Sequence, residues 1–374
     1  MNKFLRVLPA LALSALAVII PTAVLPQLKF DLAGEKPAPK ESVYAGVLEL
    51  WHIETFEGGT ASRAQWLAAR ALEFEKLYPR LFVMVEQKTL AELEWHILRG
   101  EYPDLVSFPT GAGEPFAGHT QAFTQIPAVR GELLRAGQLG GRQLALPYMT
   151  GGYALIANAE RLKAAGVKES NKLSDKIFSA AYEQKSGKNT KNIFSLSVAT
   201  PIPQLPLAAY CDKMLIGGFS LNVCETAYLA YEDFMGLAKS SMLLGTQRDI
   251  ARIEARISQN NCPELRIEYT PGFCDMVQYV SVTTAQNFEA AQKFALYLAD
   301  GAQKSVYKCG MFSADGKKYY SQPMRKEMEE ALSGTLKTCN AFVSAAELAR
   351  IKAAVDSALD GSKEAAAEVK RFYS

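Results

Sequence analysis

The sequence predicts an α/β protein with room for two hydrophobic cores. Its 374 residues exceed the roughly 250–300 at which a single core stops growing. With 49% apolar and 21% charged residues, the composition is that of an ordinary globular chain. From Gly46 onwards, short apolar runs alternate with stretches of helical periodicity. That alternation is the pattern of mainly parallel sheets flanked by helices.

Taken in order, Gly46 to Ile53 (GVLELWHI) is a strand-like run, followed by a loop from Glu54 to Ser62. A helix is expected from about Arg63 to Tyr78, because Trp66, Leu67, Ala71, Phe74 and Leu77 recur at helical spacing and Pro79 stops it. Leu81 to Glu86 reads as a second strand, Thr89 to Gly100 as a second helix, and Asp104 to Phe108 as a third strand. The grammar then repeats. Gln143 to Asn158 is strand-like around Pro147, and Glu160 to Gly166 is a short helix. Asp233 to Met242 leads into a strand and the Gly245-Thr246 turn, and Gln278 to Thr283 is another strand. Ala285 to Asp300 is an amphipathic helix with Phe288, Ala291, Phe294, Ala295 and Leu298 on one face. The residues from about 325 onwards read as helices only.

The N-terminus differs from the rest. Lys3 and Arg6 precede an uncharged run from Val7 to Pro26, about the ~20 residues that cross a bilayer as a helix. The charge asymmetry places everything after it outside the cytoplasm. Residues 1–27 are therefore read as a signal or membrane anchor, with uncleaved anchoring favoured, and 28–45 as a semi-rigid linker carrying Gly34, Pro37 and Pro39. Six cysteines in an exported chain permit three disulfides, and at least one is expected. No CxxC or Cys/His spacing suggests a metal site.

A net charge of +2 is too small to argue for nucleic acid or an anionic lipid surface, and no basic stripe or base-stacking pattern stands out. There is no GxSxG elbow, Walker A loop, HExxH or dinucleotide fingerprint, so neither catalysis nor a cofactor is expected. His52 and Glu54 fall on one side of an alternating strand, which fits a satisfied strand-end histidine more commonly than an acid–base or metal pair.

The loop Phe56-Glu57-Gly58-Gly59-Thr60-Ala61-Ser62-Arg63 lies between the first strand and the first helix. Open α/β sheets place ligands there, beside helix N-termini and unpaired amides. The same residues also fit a simple turn in which Thr60 or Ser62 caps the helix. A second group is aromatic and lies near strand ends: Trp51, Phe56, Phe108, Tyr148, Tyr153 and Phe273. Such rings pack on sugar faces, or simply build core.

The order of segments resembles the family-1 bacterial extracellular solute-binding proteins of ABC importers, the maltose-type group. Leu48-Glu-Leu-Trp-His resembles that family's first strand, and Gly100-Glu-Tyr-Pro-Asp-Leu-Val its third-strand entry. Leu146-Pro-Tyr followed by Tyr153-Ala-Leu-Ile-Ala-Asn resembles its crossover into the second lobe. Phe234 to Gly245 and Phe288 to Phe312 are similar to later family segments, although Ser313 stands where proline is usual. The resemblance implies a two-lobed periplasmic-binding-protein-like fold. Lobe 1 would be 46–150 plus 283–322 and lobe 2 151–282 plus 323–374, with crossovers near 148–155 and 279–284. It also implies a monomer that captures a small solute, by resemblance a carbohydrate, in the interlobe cleft and delivers it to ABC permease subunits. The expected ligand set is Trp51, Glu54, Phe56, Glu57, Gly58, Gly59, Thr60, Arg63, Phe108, Thr110, Tyr148, Tyr153, Thr246, Arg248 and Phe273. Two rivals stay open. One is an oxyanion or acidic solute, favoured by Gly58-Gly59-Thr60 with Arg63 and Arg248; the other is a membrane-tethered regulatory protein on the same fold.

Overall fold

The computed structural model describes residues 45–56, 58–164, 172–173, 196–199, 206, 222–269, 273–332, 336–359 and 361–372. The 1–27 segment, the 28–45 linker up to residue 44, Glu57 and Cys211 lie outside them.

β1 (Gly46–Ile53) pairs in parallel with both β2 (Leu81–Lys88) and β3 (Leu105–Pro109). The connecting helices are α1 (Arg63–Leu77) and α2 (Leu90–Leu98). Each begins with a side-chain cap that satisfies otherwise orphaned amides. Gln65 N–H donates to Ser62 Oγ at 3.2 Å, and Thr89 and Glu92 form a reciprocal capping box. α3 (Gly131–Ala136) and a small hairpin of β4 (Gln138–Leu139) and β5 (Arg142–Gln143) lead to β6 (Leu146–Thr150).

The chain then crosses to a second sheet through Gly151 and Gly152. Its elements are β7 (Tyr153–Asn158), α4 (Ala159–Ala164), β8 (Leu196–Val198), β9 (Asn222–Val223), α5 (Ala227–Met235), β10 (Met242–Thr246), α6 (Gln247–Ser258) and β11 (Leu265–Tyr269). Their spatial order is β11-β7-β10-β8-β9. The return strand β12 (Val277–Val282) is followed by α7 (Phe288–Leu296) and β13 (Phe312–Ser313). The first sheet thus reads β13-β6-β12-β3-β1-β2. β7 and β12, which carry the chain into the second sheet and back, run antiparallel to their neighbours. Three helices complete the chain: α8 (Pro323–Ala331), α9 (Ala345–Leu359) and α10 (Lys363–Phe372).

Leu48, Leu50, Phe74 and Phe294 belong to the core beneath α1 and α7. A second core joins Phe108, Phe116 and Tyr279 to Leu155, Ile156 and Ile250 across the crossover. Phe273 and Cys339 close a third with Ile351, Val355 and Val369 of the last two helices.

The expected strands and helices up to α2 are found where the periodicity put them. Two boundaries differ from the expected ones. The return crossover precedes β12, because Val277 to Val282 are hydrogen-bonded between β3 and β6 of the first sheet. The C-terminal helices also divide. α8 packs on α6 through the Arg325–Glu254 pair at 2.7 Å. The segment before and into α9 instead docks on the first lobe: Ala341 N–H donates to Ala136 O, Gly113 N–H to Ala341 O, and Ala345 N–H to the Glu114 carboxylate. The expected disulfide is not formed by any described cysteine. Cys224, Cys262, Cys274, Cys309 and Cys339 are free, and burial pushes the Cys274 and Cys309 thiols up to about 12.

Candidate functional site

A cleft of about 820 Å³ lies between the two sheets, at the carboxyl ends of the strands that run in the common direction. Thr55 and Phe56 after β1, and Thr110 and Gly111 after β3, supply one wall. Asp275 and Met276 of the returning crossover, Cys339, and Leu348, Ala349 and Lys352 of α9 extend that wall. The opposite wall is Tyr153 at the start of β7, Ala199 after β8, Cys224 to Tyr228 after β9, and Thr246 at the end of β10.

Phe56 is held by a buried polar network beneath it. Arg63, 1% exposed, donates from Nη2 to Phe56 O at 2.7 Å, and its guanidinium lies 4.0 Å from the Phe56 ring centroid. The same guanidinium pairs with Glu54 at 3.3 Å and reaches Gln278 Oε1 at 3.4 Å. His52 bridges Glu54 Oε1 and Ser107 Oγ, both at 2.8 Å, and Ser107 in turn meets Tyr148 Oη at 2.7 Å. Burial raises the Glu54 carboxyl, but the His52 hydrogen bond and the Arg63 charge outweigh it and hold it at about 2. Burial lowers the His52 pKa. His52 is therefore a satisfied strand-end histidine, and the network is a support for the loop rather than an acid–base pair facing solvent.

Several expected ligand residues belong to this support or to the core. Trp51 is buried, donates to Glu49 Oε1 at 2.7 Å and packs on His96. Phe108 is stacked among Phe116, Tyr279 and Phe342. Tyr148 is fully buried and lies parallel to Trp66, 5.9 Å between centroids. Phe273 is part of the C-terminal core. Glu54 and Arg63 are used internally, and Arg248 is half-buried in the first turn of α6 and is not part of the cleft lining.

The glycine loop also has another purpose than backbone approach to a ligand. A Cβ on Gly59 would come within 2.1 Å of Cys309 O and 2.3 Å of Gly310 Cα, so its bareness lets the loop pass the 309–310 turn. Gly58 O accepts from Gln247 Nε2 at 3.5 Å, and Thr60 is exposed. Glu57 lies outside the described residues.

Phe56, Thr110, Tyr153 and Thr246 do meet in the cleft. Tyr153 Oη donates to Asp275 Oδ1 at 2.5 Å, and burial pushes the Asp275 carboxyl up against the opposing effect of that hydrogen bond. Thr110 Oγ1 is buried with no hydrogen-bond partner among the described residues. Thr246 caps α6 together with Asp249. The sequence reading missed Asp275, Tyr228, Glu225 and the α9 face. The usable signal was Thr226, an N-cap that sets Tyr228 in an exposed first helical turn. Among the described residues no group of His, Cys, Asp and Glu is arranged to hold a metal ion, and no helix is long and apolar enough to cross a membrane.

Solved structures of solute-binding proteins share this architecture. The GacH receptor of Streptomyces glaucescens, solved unliganded and in complex with acarbose, matches with a TM-score of 0.58 at 16% identity, covering 87% of this chain and 97% of that one. An ABC substrate-binding protein of Listeria monocytogenes in complex with cycloalternan matches at 0.55 and 14%, covering 88% and 98%. The maltose/maltodextrin-binding domain of Bdellovibrio bacteriovorus bound to maltotriose matches at 0.53 and 14%, covering 87% and 97%. At these identities the likeness is one of fold, spanning nearly the whole of each relative. No family profile and no curated protein matches the sequence.

Proposed function

We propose that this chain is the extracytoplasmic solute-binding subunit of an ABC importer and that it holds carbohydrate between its lobes. The observation that carries the reading is the composition of the cleft. Rings of Phe56, Tyr153 and Tyr228 line it together with a few polar groups, Thr110, Asp275 and Thr246. That combination suits a ligand with apolar CH faces and hydroxyl edges. The unpartnered Thr110 hydroxyl supports it further, since a buried hydroxyl gains from a partner that a sugar can supply. Two solved structures with this fold, those of Listeria monocytogenes and Bdellovibrio bacteriovorus, hold cycloalternan and maltotriose respectively.

The acidic-solute reading loses its motivation here. It relied on Gly58-Gly59-Thr60 with Arg63 and Arg248: Gly59 is packed against the 309–310 turn, Arg63 is consumed by Glu54 and Phe56 O, and Arg248 is not among the lining residues. In this proposal the chain performs no chemistry and works as a monomer. The Val7–Pro26 run tethers it outside the cell, and permease subunits receive the ligand. Thermal-shift screening of sugars, oligosaccharides and acidic solutes, followed by calorimetry, tests the ligand class. Stabilisation by neutral saccharides is expected, and stabilisation by carboxylates or phosphate alone overturns it. The tether is checked by fractionation: protein in the salt-washed membrane pellet supports it, and soluble protein starting near Val18 or Val24 refutes it.

A further inference from the structure

We propose that Glu225 and Lys352 form an electrostatic clasp that draws the two walls of the cleft together, an inference that rests on the solute-binding reading and its lobe closure. Both side chains line the cleft, both are exposed, and they belong to opposite walls. Glu225 follows β9 and immediately precedes Thr226, the cap of α5, so it moves with the second lobe. Lys352 lies one turn beyond Leu348 on α9. Leu348 Cδ1 sits 3.2 Å from the position of a Cβ on Gly111, and the start of the helix is bonded to Glu114, so Lys352 moves with the first lobe.

The surrounding charges are already committed. Arg350 pairs with Glu347 and Glu368, Lys239 with Asp233, and Arg252 with Asp249. Asp275, the third charged residue of the lining, accepts from Tyr153 deep in the cleft. Glu225 and Lys352 have no ion pair among the described residues, which leaves one anion and one cation facing each other's wall. A clasp fits them better than a ligand contact, because the polar groups set deep in the cleft are Thr110 and Asp275 while these two stand exposed. Closure shortens their separation and excludes water between them, which strengthens the attraction. The closed form should be favoured at low salt, since the screening length falls from about 8 Å at physiological ionic strength to about 3 Å at 1 M.

The full chain tests this without any ligand. A zero-length carbodiimide joins a carboxylate to an amine only where the two meet, and peptide mass spectrometry locates the bond. The Lys293–Glu289 pair, 2.7 Å apart, is the internal control. A Glu225–Lys352 bond is expected at low salt, reduced several-fold at 1 M salt, absent in Glu225→Gln and Lys352→Gln, and restored in the double exchange Glu225→Lys/Lys352→Glu. Capture of Lys293–Glu289 without Glu225–Lys352, in both the natural chain and the double exchange, overturns the clasp. A sugar-induced thermal shift alongside that negative result leaves the solute-binding reading standing. The 225–352 bond without any sugar response supports the clasp and counts against carbohydrate as ligand.

Discussion

The two walls of the cleft are built on different principles. On the first-lobe side, Phe56 rests on a continuous buried chain of Arg63, Glu54, His52, Ser107, Tyr148 and Gln278 that ties β1, β3, β6 and β12 together. On the second-lobe side, Tyr228 is 54% exposed in the first turn of a nine-residue helix behind a two-residue strand. One wall is braced from beneath, whereas the other adds to the buried Tyr153 and Thr246 an exposed rim at β9 and α5. Under the solute-binding proposal this division would separate recognition from closure, the braced wall orienting the ligand and the exposed rim coming to meet it.

The sharpest way to break the comparison is to disturb the rigid wall. Tyr148→Ala should open a cavity beside Trp66 and cost about 3–5 kcal/mol of folding stability, read as a shift in urea midpoint. A loss of ligand affinity with unchanged stability would place Tyr148 in the site instead. Gly59→Val should cost roughly 3 kcal/mol, because its Cβ meets the backbone of Cys309 and Gly310 rather than open cleft. Unaltered stability in that variant would restore the glycine to a ligand-approach role.

Acid should act through the same wall. Glu54 has its carboxyl held at about 2 against an ordinary 4.5, so the stability it contributes is complete above 4.5 and is lost as pH falls from there towards 2. His52 adds to the loss with the same sign, since its lowered pKa means the unfolded chain takes up its proton first as pH drops below 6.5. Denaturation of Glu54→Gln across pH 2 to 6.5 should show a flatter acid limb than the natural chain; an equally steep limb would remove the network from the account. The smallest effect belongs to the soft wall. Tyr228→Ala should leave stability within about 0.5 kcal/mol. It should weaken binding of the screened saccharide by about 1 kcal/mol in calorimetry.

The strands and helices up to α2 were legible because apolar spacing, caps and Pro79 agreed with one another. Phe56, Thr110, Tyr153 and Thr246 were legible as lining of the cleft because each stands at or just beyond the end or start of a strand. The same signal misassigned Trp51, Phe108, Tyr148 and Phe273, since a ring near a strand end looks alike whether it faces the cleft or the sheet interior. The outer parts of the two walls left little trace: on the second-lobe side β9 is too short to show alternation, and on the first-lobe side α9 reaches the cleft through docking of residues 341–345. Gly59 read as a ligand approach because a bare backbone needed by a neighbouring turn has the same sequence signature.

The position of β12 has a consequence for how the molecule is made. It lies inside the first sheet, between β3 and β6, yet the chain reaches it only after every strand of the second sheet has been traversed. Until Val277 to Val282 are available, β3 and β6 have a vacant rung between them, and their apolar faces cannot be sealed. Such long-range pairing bears its loop-closure entropy before any contact rewards it, which slows completion. For a chain exported as proposed above, the delay keeps the amino-terminal half pliable until most of the polypeptide has passed through the membrane.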